Sequence, residues 1–72
     1  MEEHINDIET VDGRVIEALP STLFKVETPA GETIISYLGG KMRVNKIKVL
    51  VGDRVTVQVD PYGGKGRIIK RL

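Results

Sequence analysis

The chain has 72 residues, with 11 lysines and arginines, 10 aspartates and glutamates, one histidine and no cysteine. This length supports one compact core and excludes two packed domains. The missing thiols exclude a disulfide framework and a cysteine zinc site, so apolar packing must supply the stability. We expect one domain over residues 1–72, with residues 1–7 mobile.

Five segments predict β-strands because their apolar residues alternate with polar ones. They are residues 8–19, 23–27, 32–38, 54–60 and 67–71. The fourth, RVTVQVD, is the clearest, since Val55, Val57 and Val59 share one face. Gly13 lies inside the long first strand, where a glycine often marks a bulge or a sharp bend.

The segment between the third and fourth strands is too long for a hairpin turn. KMRVN (41–45) predicts one or two helical turns after Gly39-Gly40. We expect the apolar side chains of residues 47–50 to return to the core. Five strands with a short helical turn between strands 3 and 4 predict an all-β OB-fold barrel. An SH3-like small barrel is the main alternative. Since a closed barrel leaves no long strand edge to pair, we expect a monomer.

Catalytic and metal-binding patterns are missing from the sequence. His4 is the only histidine and has no nucleophile near it in the sequence. Asp53 and Asp60 flank turns, where aspartate commonly accepts hydrogen bonds from backbone N–H groups. No His, Cys or carboxylate cluster has metal-ligand spacing. We therefore expect neither an enzyme nor a cofactor or metal.

No segment predicts membrane insertion or secretion. The apolar run at residues 47–51 is interrupted by Lys48 and is far shorter than the roughly 20 residues that span a bilayer. The acidic start, MEEHINDIE, lacks the pattern of a signal peptide. We expect a cytoplasmic protein without a membrane partner.

The net charge of +1 conceals a division along the chain. Residues 1–36 hold two cations and eight carboxylates, a net charge of −6, whereas residues 37–72 hold nine cations and two carboxylates, a net charge of +7. The positive half predicts one strongly basic face that suits a polyanion. The alternative is that the fold interleaves the halves and their charges pair.

Eight of the cations in the positive half form two groups. The first contains Lys41, Arg43, Lys46 and Lys48, and the second contains Lys65, Arg67, Lys70 and Arg71. Contacts from lysine and arginine to phosphate supply most of the sequence-independent affinity for nucleic acid. Both groups are therefore candidate RNA-binding residues. The alternative is that they only keep the surface solvated.

Tyr37 and Tyr62 lie beside the two groups and are candidates for stacking on bases or riboses. The alternative for either ring is a half-buried place in the core. With one phenylalanine, two tyrosines and no tryptophan, the chain has too few aromatic residues for a base-stacking platform. Recognition of the phosphates and shape of a folded RNA fits this composition better.

Several separated segments suggest a family. They are EALPSTLFKVE (17–27), GGKMR (39–43), IKVLVGDRVTVQVDPY (47–62) and KGRI (65–68). Together, and in this order, they resemble bacterial translation initiation factor 1. The resemblance implies an OB barrel that binds the small (30S) ribosomal subunit at its aminoacyl-tRNA (decoding) site. There, members contact 16S RNA and a neighbouring ribosomal protein, block premature tRNA entry and assist initiation factors 2 and 3, without catalysis.

The resemblance also assigns roles to individual residues. Lys41 and Arg43 match the family's Gly-Lys-Met-Arg loop, which is expected to lie against the RNA backbone. On this interpretation Gly39-Gly40 loosens the chain so that the two cations can bind phosphate. Tyr62 matches a Pro-Tyr pair, Arg67 matches Lys-Gly-Arg-Ile, and Lys65 lies in the same loop.

Some positions depart from the family pattern. Many members have His-Ile-Ser-Gly where this chain has YLGG (37–40), so a histidine contact is missing. Lys46 and Lys70 stand at or near positions where an aromatic residue is frequent, which exchanges stacking for charge. Two other functions stay open, a general RNA-binding protein of cold-shock type and a protein-interaction barrel whose acidic half docks a basic partner.

Overall fold

The computed structural model describes residues 9–72. Its elements are β1 (Glu9–Leu19), a short 3₁₀ turn (Pro20–Thr22), β2 (Leu23–Glu27), β3 (Thr33–Leu38), α1 (Gly40–Val44), β4 (Arg54–Val59) and β5 (Gly66–Arg71). The five predicted strands and the helical turn are confirmed, and no bound differs by more than one residue from its predicted position. His4 and the expected mobility of residues 1–7 lie outside the described residues.

The strands close into a barrel in the order β1-β2-β3-β5-β4. Neighbouring strands are antiparallel except for β3 and β5, which run parallel. With α1 between β3 and β4, this is the predicted OB fold. None of the helices within residues 9–72 is long and apolar enough to cross a membrane.

The long first strand closes the barrel because it pairs with two different neighbours. Its first part pairs with β4 up to Arg14, and its second part pairs with β2 from Arg14 onwards. Gly13 lies at this change of partner. A Cβ atom there would lie only 2.7 Å from the Glu27 carbonyl oxygen and 2.7 Å from Val26 Cγ1. A glycine is needed at this position because only a glycine lets β1 approach β2 so closely. The irregularity of β1 itself lies further along the strand than Gly13, since the register with β2 shifts between Val15 and Glu17.

The core fills the barrel from β1, β2, β4, β5, α1 and the segment after α1, and half-buried residues of β3 pack against it. Its buried members are Val15, Phe24, Val26, Met42, Val49, Val55, Val57 and Ile68. The alternating valines of β4 point inward as the sequence predicts. Met42 is only 2% exposed, so α1 closes one part of the core with its thioether side chain.

The expectation for residues 47–50 is wrong at Leu50, which is 55% exposed. Val49 is buried and Ile47 is half-buried, but Leu50 begins a tight turn that carries its side chain outward. The turn is closed by the Asp53 N–H, which donates to the Leu50 carbonyl oxygen at 3.0 Å. The Asp53 carboxylate in return accepts the Leu50 N–H at 2.9 Å.

Val57→Asp should abolish cooperative folding. Val57 is fully buried, and an unpaired carboxylate in an apolar core costs several kcal/mol. A small domain has a total stability of only about 5–15 kcal/mol. Thermal unfolding followed by circular dichroism measures the effect. Gln58→Asp, whose side chain lies outside the barrel beside Arg67, is the matched control and should unfold like the parent chain. A parent-like melting curve for Val57→Asp would contradict this description of the core.

Candidate nucleic-acid interface

The barrel turns the charge division along the sequence into a division in space. In the closed strand order, β5 lies between β3 and β4, across the barrel from the β1–β2 pair. Most described carboxylates of the acidic half lie on β1 and β2, and cations dominate α1, the segment after it and β5. One cation on the acidic side forms an ion pair there, since Lys25 Nζ lies 3.3 Å from Glu17 Oε1.

All ten residues that the sequence selects as RNA-binding have exposed side chains. We call the eight cations among them the basic face: Lys41, Arg43, Lys46, Lys48, Lys65, Arg67, Lys70 and Arg71. Within residues 9–72, no nitrogen of the basic face lies within 4.0 Å of a carboxylate oxygen. With respect to the described residues, these charges are therefore available to an external anion.

The parallel pairing of β3 with β5 joins the two groups of cations. Tyr37 is opposite Arg67 in this register, and the Gly39 N–H donates to the Ile68 carbonyl oxygen at 2.8 Å. A Cβ atom at Gly39 would lie 2.9 Å from the same oxygen. The interpretation that Gly39 loosens the chain is thus wrong, because Gly39 is buried and fixed against β5. A glycine is needed there so that the start of α1 can approach β5.

The side chains of Tyr37 and Arg67 contact each other where β3 pairs with β5. The Arg67 guanidinium carbon lies 5.8 Å from the centroid of the Tyr37 ring, within the range of a cation–π contact. Arg67 Nε also donates a long hydrogen bond of 3.5 Å to the Tyr37 hydroxyl oxygen. Tyr37 is 36% exposed, so its ring supports Arg67 from below and still reaches the surface.

Tyr62 lies at the tip of the β4–β5 loop and is 94% exposed, which excludes the core alternative for this ring. Asp60 organises the loop. Its Oδ1 accepts the Tyr62 N–H at 2.8 Å, and its Oδ2 accepts the Gly64 N–H at 3.2 Å. The expectation that Asp53 and Asp60 satisfy backbone donors at turns is confirmed.

Several grooves cross the basic face, and two of them contain most of its cations. One, of about 350 Å³, runs between β3 and the β4–β5 loop and contains Tyr37, Lys65 and Arg67. The other, of about 470 Å³, lies between α1 with the segment after it and the end of β5, and contains Lys46 and Lys70 among its cations. Arg43 lies outside both grooves and is exposed. A further groove of about 340 Å³ contains Lys41 and Arg67 and so connects the other two. The structure therefore brings most of the predicted cations together along connected grooves.

The described part of the chain has no group of three or more His, Asp or Glu side chains that could hold a metal ion.

Two features of the basic face were not predicted from the sequence. Ile69 is 40% exposed and lies in the larger groove beside the cations. The contact between Tyr37 and Arg67 joins residues 30 positions apart. No pattern in the sequence reports either feature, because both depend on the strand register.

A closed OB barrel with one exposed cationic side belongs to the class of nucleic-acid-binding barrels. Comparison with known proteins places it more narrowly. Residues 2–72 match the family described as translation initiation factor 1A / IF-1. The solution structure of translation initiation factor 1 from the Wolbachia endosymbiont strain TRS of Brugia malayi is similar, with 38% identity and a TM-score of 0.79. That match covers 99% of this chain and 85% of the other.

Two larger proteins contain a similar barrel. YjeQ from Thermotoga maritima is 34% identical with a TM-score of 0.74, and the match covers 89% of this chain and 23% of that protein. YloQ, a circularly permuted GTPase, is 27% identical with a TM-score of 0.77, and the match covers all of this chain and 24% of that protein. The barrel is thus a minor part of both larger proteins.

The chain belongs to the translation initiation factor 1A / IF-1 family. Its general function is therefore that of an RNA-binding initiation factor of protein biosynthesis, and the family implies binding to the small ribosomal subunit. The resemblance drawn from the sequence is confirmed at this level.

Asp60→Ala should loosen the β4–β5 loop without unfolding the barrel. The change removes both acceptors of the Tyr62 and Gly64 N–H groups, so we expect a loss of about 1–2 kcal/mol of stability. Amide hydrogen exchange measures the local effect, which should be largest at Tyr62 and Gly64. Asp60→Asn is the control that keeps one acceptor oxygen, and protection should fall less in this variant. Equal exchange in Asp60→Ala and the parent chain would show that Asp60 does not hold the loop.

Proposed function

We propose that this chain binds the small (30S) ribosomal subunit at the aminoacyl-tRNA (decoding) site through its 16S RNA. The observation that carries the proposal is the basic face. Eight exposed cations lie on one side of a barrel of this family, and none is within ion-pair distance of a described carboxylate. Such a surface gains affinity by binding phosphates and releasing their counterions.

The factor acts by occupancy. With its cations on the RNA backbone, the barrel blocks premature tRNA entry, contacts a neighbouring ribosomal protein and assists initiation factors 2 and 3. No reaction and no cofactor are needed for this role. It works as a monomer in the cytoplasm, where the ribosomes are.

The aromatic residues favour recognition of folded RNA over stacking on single strands. Phe24 is buried in the core, so Tyr37 and Tyr62 are the only aromatic rings of residues 9–72 that reach the surface. Proteins that bind single strands without sequence preference stack successive bases on several rings. Two rings cannot form such a platform, whereas the lysines and arginines suit the closely spaced phosphates of a structured RNA.

Binding to purified small subunits tests the proposal directly. Labelled protein should bind the subunit saturably, with one copy per subunit, and should bind unstructured RNA of mixed sequence much more weakly. Raising the salt concentration should weaken both interactions, because phosphate contacts release counterions. Comparable affinity for both RNAs would replace the proposal with a general RNA-binding barrel. Binding to neither would remove the role proposed for the basic face.

Reversing the charges of Lys41 and Arg43 tests whether these two residues bind the RNA. Lys41→Glu with Arg43→Glu should weaken subunit binding by about 100-fold or more, since two charge-assisted phosphate contacts are replaced by repulsion. The dependence of affinity on salt should also become shallower. Arg14→Glu with Lys25→Glu changes the net charge by the same amount on β1 and β2 and should bind almost as the parent does. Melting temperatures show that both variants are folded. Equal losses in the two variants would mean that only the net charge matters.

A further inference from the structure

The 470 Å³ groove between α1 and the end of β5, which we call the larger groove because it exceeds the groove beside Tyr37, has a strongly cationic lining. Five of its residues are cations, Lys41, Lys46, Lys48, Lys70 and Arg71, and none of the described residues that line it is an aspartate or glutamate. Its volume is about 470 Å³. Like charges gathered in a groove repel one another and raise the local positive potential, so a bound anion is attracted to the groove and relieves the repulsion.

Lys46 reaches the groove through an unfavourable backbone conformation. Its φ is +54°, in the left-handed region. The Lys46 N–H donates to the Arg43 carbonyl oxygen at 3.1 Å, and the Ile47 N–H donates to the Met42 carbonyl oxygen at 2.9 Å. These two bonds form a Schellman motif at the end of α1, in which the left-handed residue is usually glycine. A lysine at this position lowers the stability of the fold relative to glycine. We therefore look to binding for the role of the Lys46 side chain.

Lys70 reaches the same groove through a second irregularity. Ile68 pairs with Val57 but Lys70 pairs with Thr56, so Ile69 is an extra residue that forms a β-bulge. Without the bulge, strict alternation would turn Lys70 inward like the buried Ile68. With it, Lys70 lies opposite Thr56 and is exposed. Bulges commonly redirect a side chain beside a functional site.

Other contacts fix the positions of the two backbone segments that form the groove. Arg71 Nη1 donates to the Lys48 carbonyl oxygen at 2.8 Å, which ties the end of β5 to the segment after α1. Met42 is buried beneath the groove and Ile47 is half-buried, so both segments are anchored in the core. The cations of the groove are therefore attached to two backbone segments whose positions are fixed.

We propose that this groove is a discrete polyphosphate site, and that the left-handed Lys46 and the bulge at Ile69 are retained because they direct lysines into it. The ligand carries several adjacent phosphate groups, either along an RNA backbone or in a free polyphosphate. The RNA form of the ligand rests on the proposed function, whereas the free form does not.

Titration of the full-length, isotope-labelled protein with sodium tripolyphosphate tests the site. The amide signals of residues 41–48 and 69–71 should shift together and saturate at one ligand per protein. Orthophosphate should bind at least about tenfold more weakly, because it offers fewer charge-assisted hydrogen bonds. Non-saturating shifts spread over all exposed lysines would overturn the proposal.

Lys46→Gly removes the left-handed strain and the positive charge together, and two control variants distinguish their effects. This variant should bind tripolyphosphate about tenfold more weakly, and its Tm should rise by roughly 4 °C as the left-handed strain is relieved. Ser21→Gly is the strain control, since Ser21 has a φ of +66° in the β1–β2 turn and carries no charge. It should raise the Tm and leave binding unchanged. Lys25→Gln, which removes a cation from the acidic side, should also bind like the parent.

Two results from these variants would overturn the proposal. Unchanged tripolyphosphate affinity in Lys46→Gly would show that Lys46 does not build the site. A lower Tm in the same variant would show that its conformation is not strained.

A competition experiment assigns the source of the phosphates. Displacement of the protein from small subunits by tripolyphosphate would assign the groove to RNA phosphates. Saturable tripolyphosphate binding without displacement would assign it to a free polyphosphate. Because the titration needs no ribosomes, failure of this site and failure of subunit binding are separate results.

Discussion

The parallel pairing of β3 with β5 is the constraint on which the rest of the structure depends. It closes the barrel, and it also brings the segment that begins at Tyr37 beside the last strand, although some 30 residues separate them in the chain. The hydrogen bond from the Gly39 N–H to the Ile68 carbonyl oxygen fixes the start of α1 at this junction. Because Gly39 has no side chain, the two backbones can approach to hydrogen-bonding distance. Cations from both segments then share one surface.

The same closure separates opposite charges. Acidic residues dominate β1 and β2, and the barrel order places these strands across from β5. A polarised barrel attracts a polyanion to one side and repels it from the other, so it orients its partner before contact. For the proposed binding to the small subunit, this polarity adds to the individual phosphate contacts.

Stability and binding compete within the basic face. The apolar core consists mainly of β-branched residues on inward strand positions, with Met42 beneath α1. The larger groove has unfavourable backbone geometry at Lys46 and an irregular strand register at Ile69, and both features increase the density of positive charge. Proteins tolerate such local conflicts mainly at functional sites, where the surrounding structure holds the unfavourable conformation in place.

Much of the fold was accessible from the sequence because its signals are local. The alternating valines of β4 and the short helix after Gly39-Gly40 depend on periodicity and on the conformational preferences of nearby residues. The candidate site was accessible as a set of exposed cations, since lysine and arginine rarely lie in a small core. The exposed position of Leu50 was not, because apolar character alone does not distinguish a core residue from the first residue of a tight turn.

The sequence by itself determined which segments become strands, which residues are charged and which family the chain resembles. Only the tertiary structure decided which cations meet, that Gly39 is fixed and not loose, and that Lys46 and Lys70 turn into one groove. The physical reason is that these features depend on strand register and on close backbone approach between distant segments. One extra residue in β5 reverses the side on which Lys70 lies, and no local pattern in the sequence reports that change.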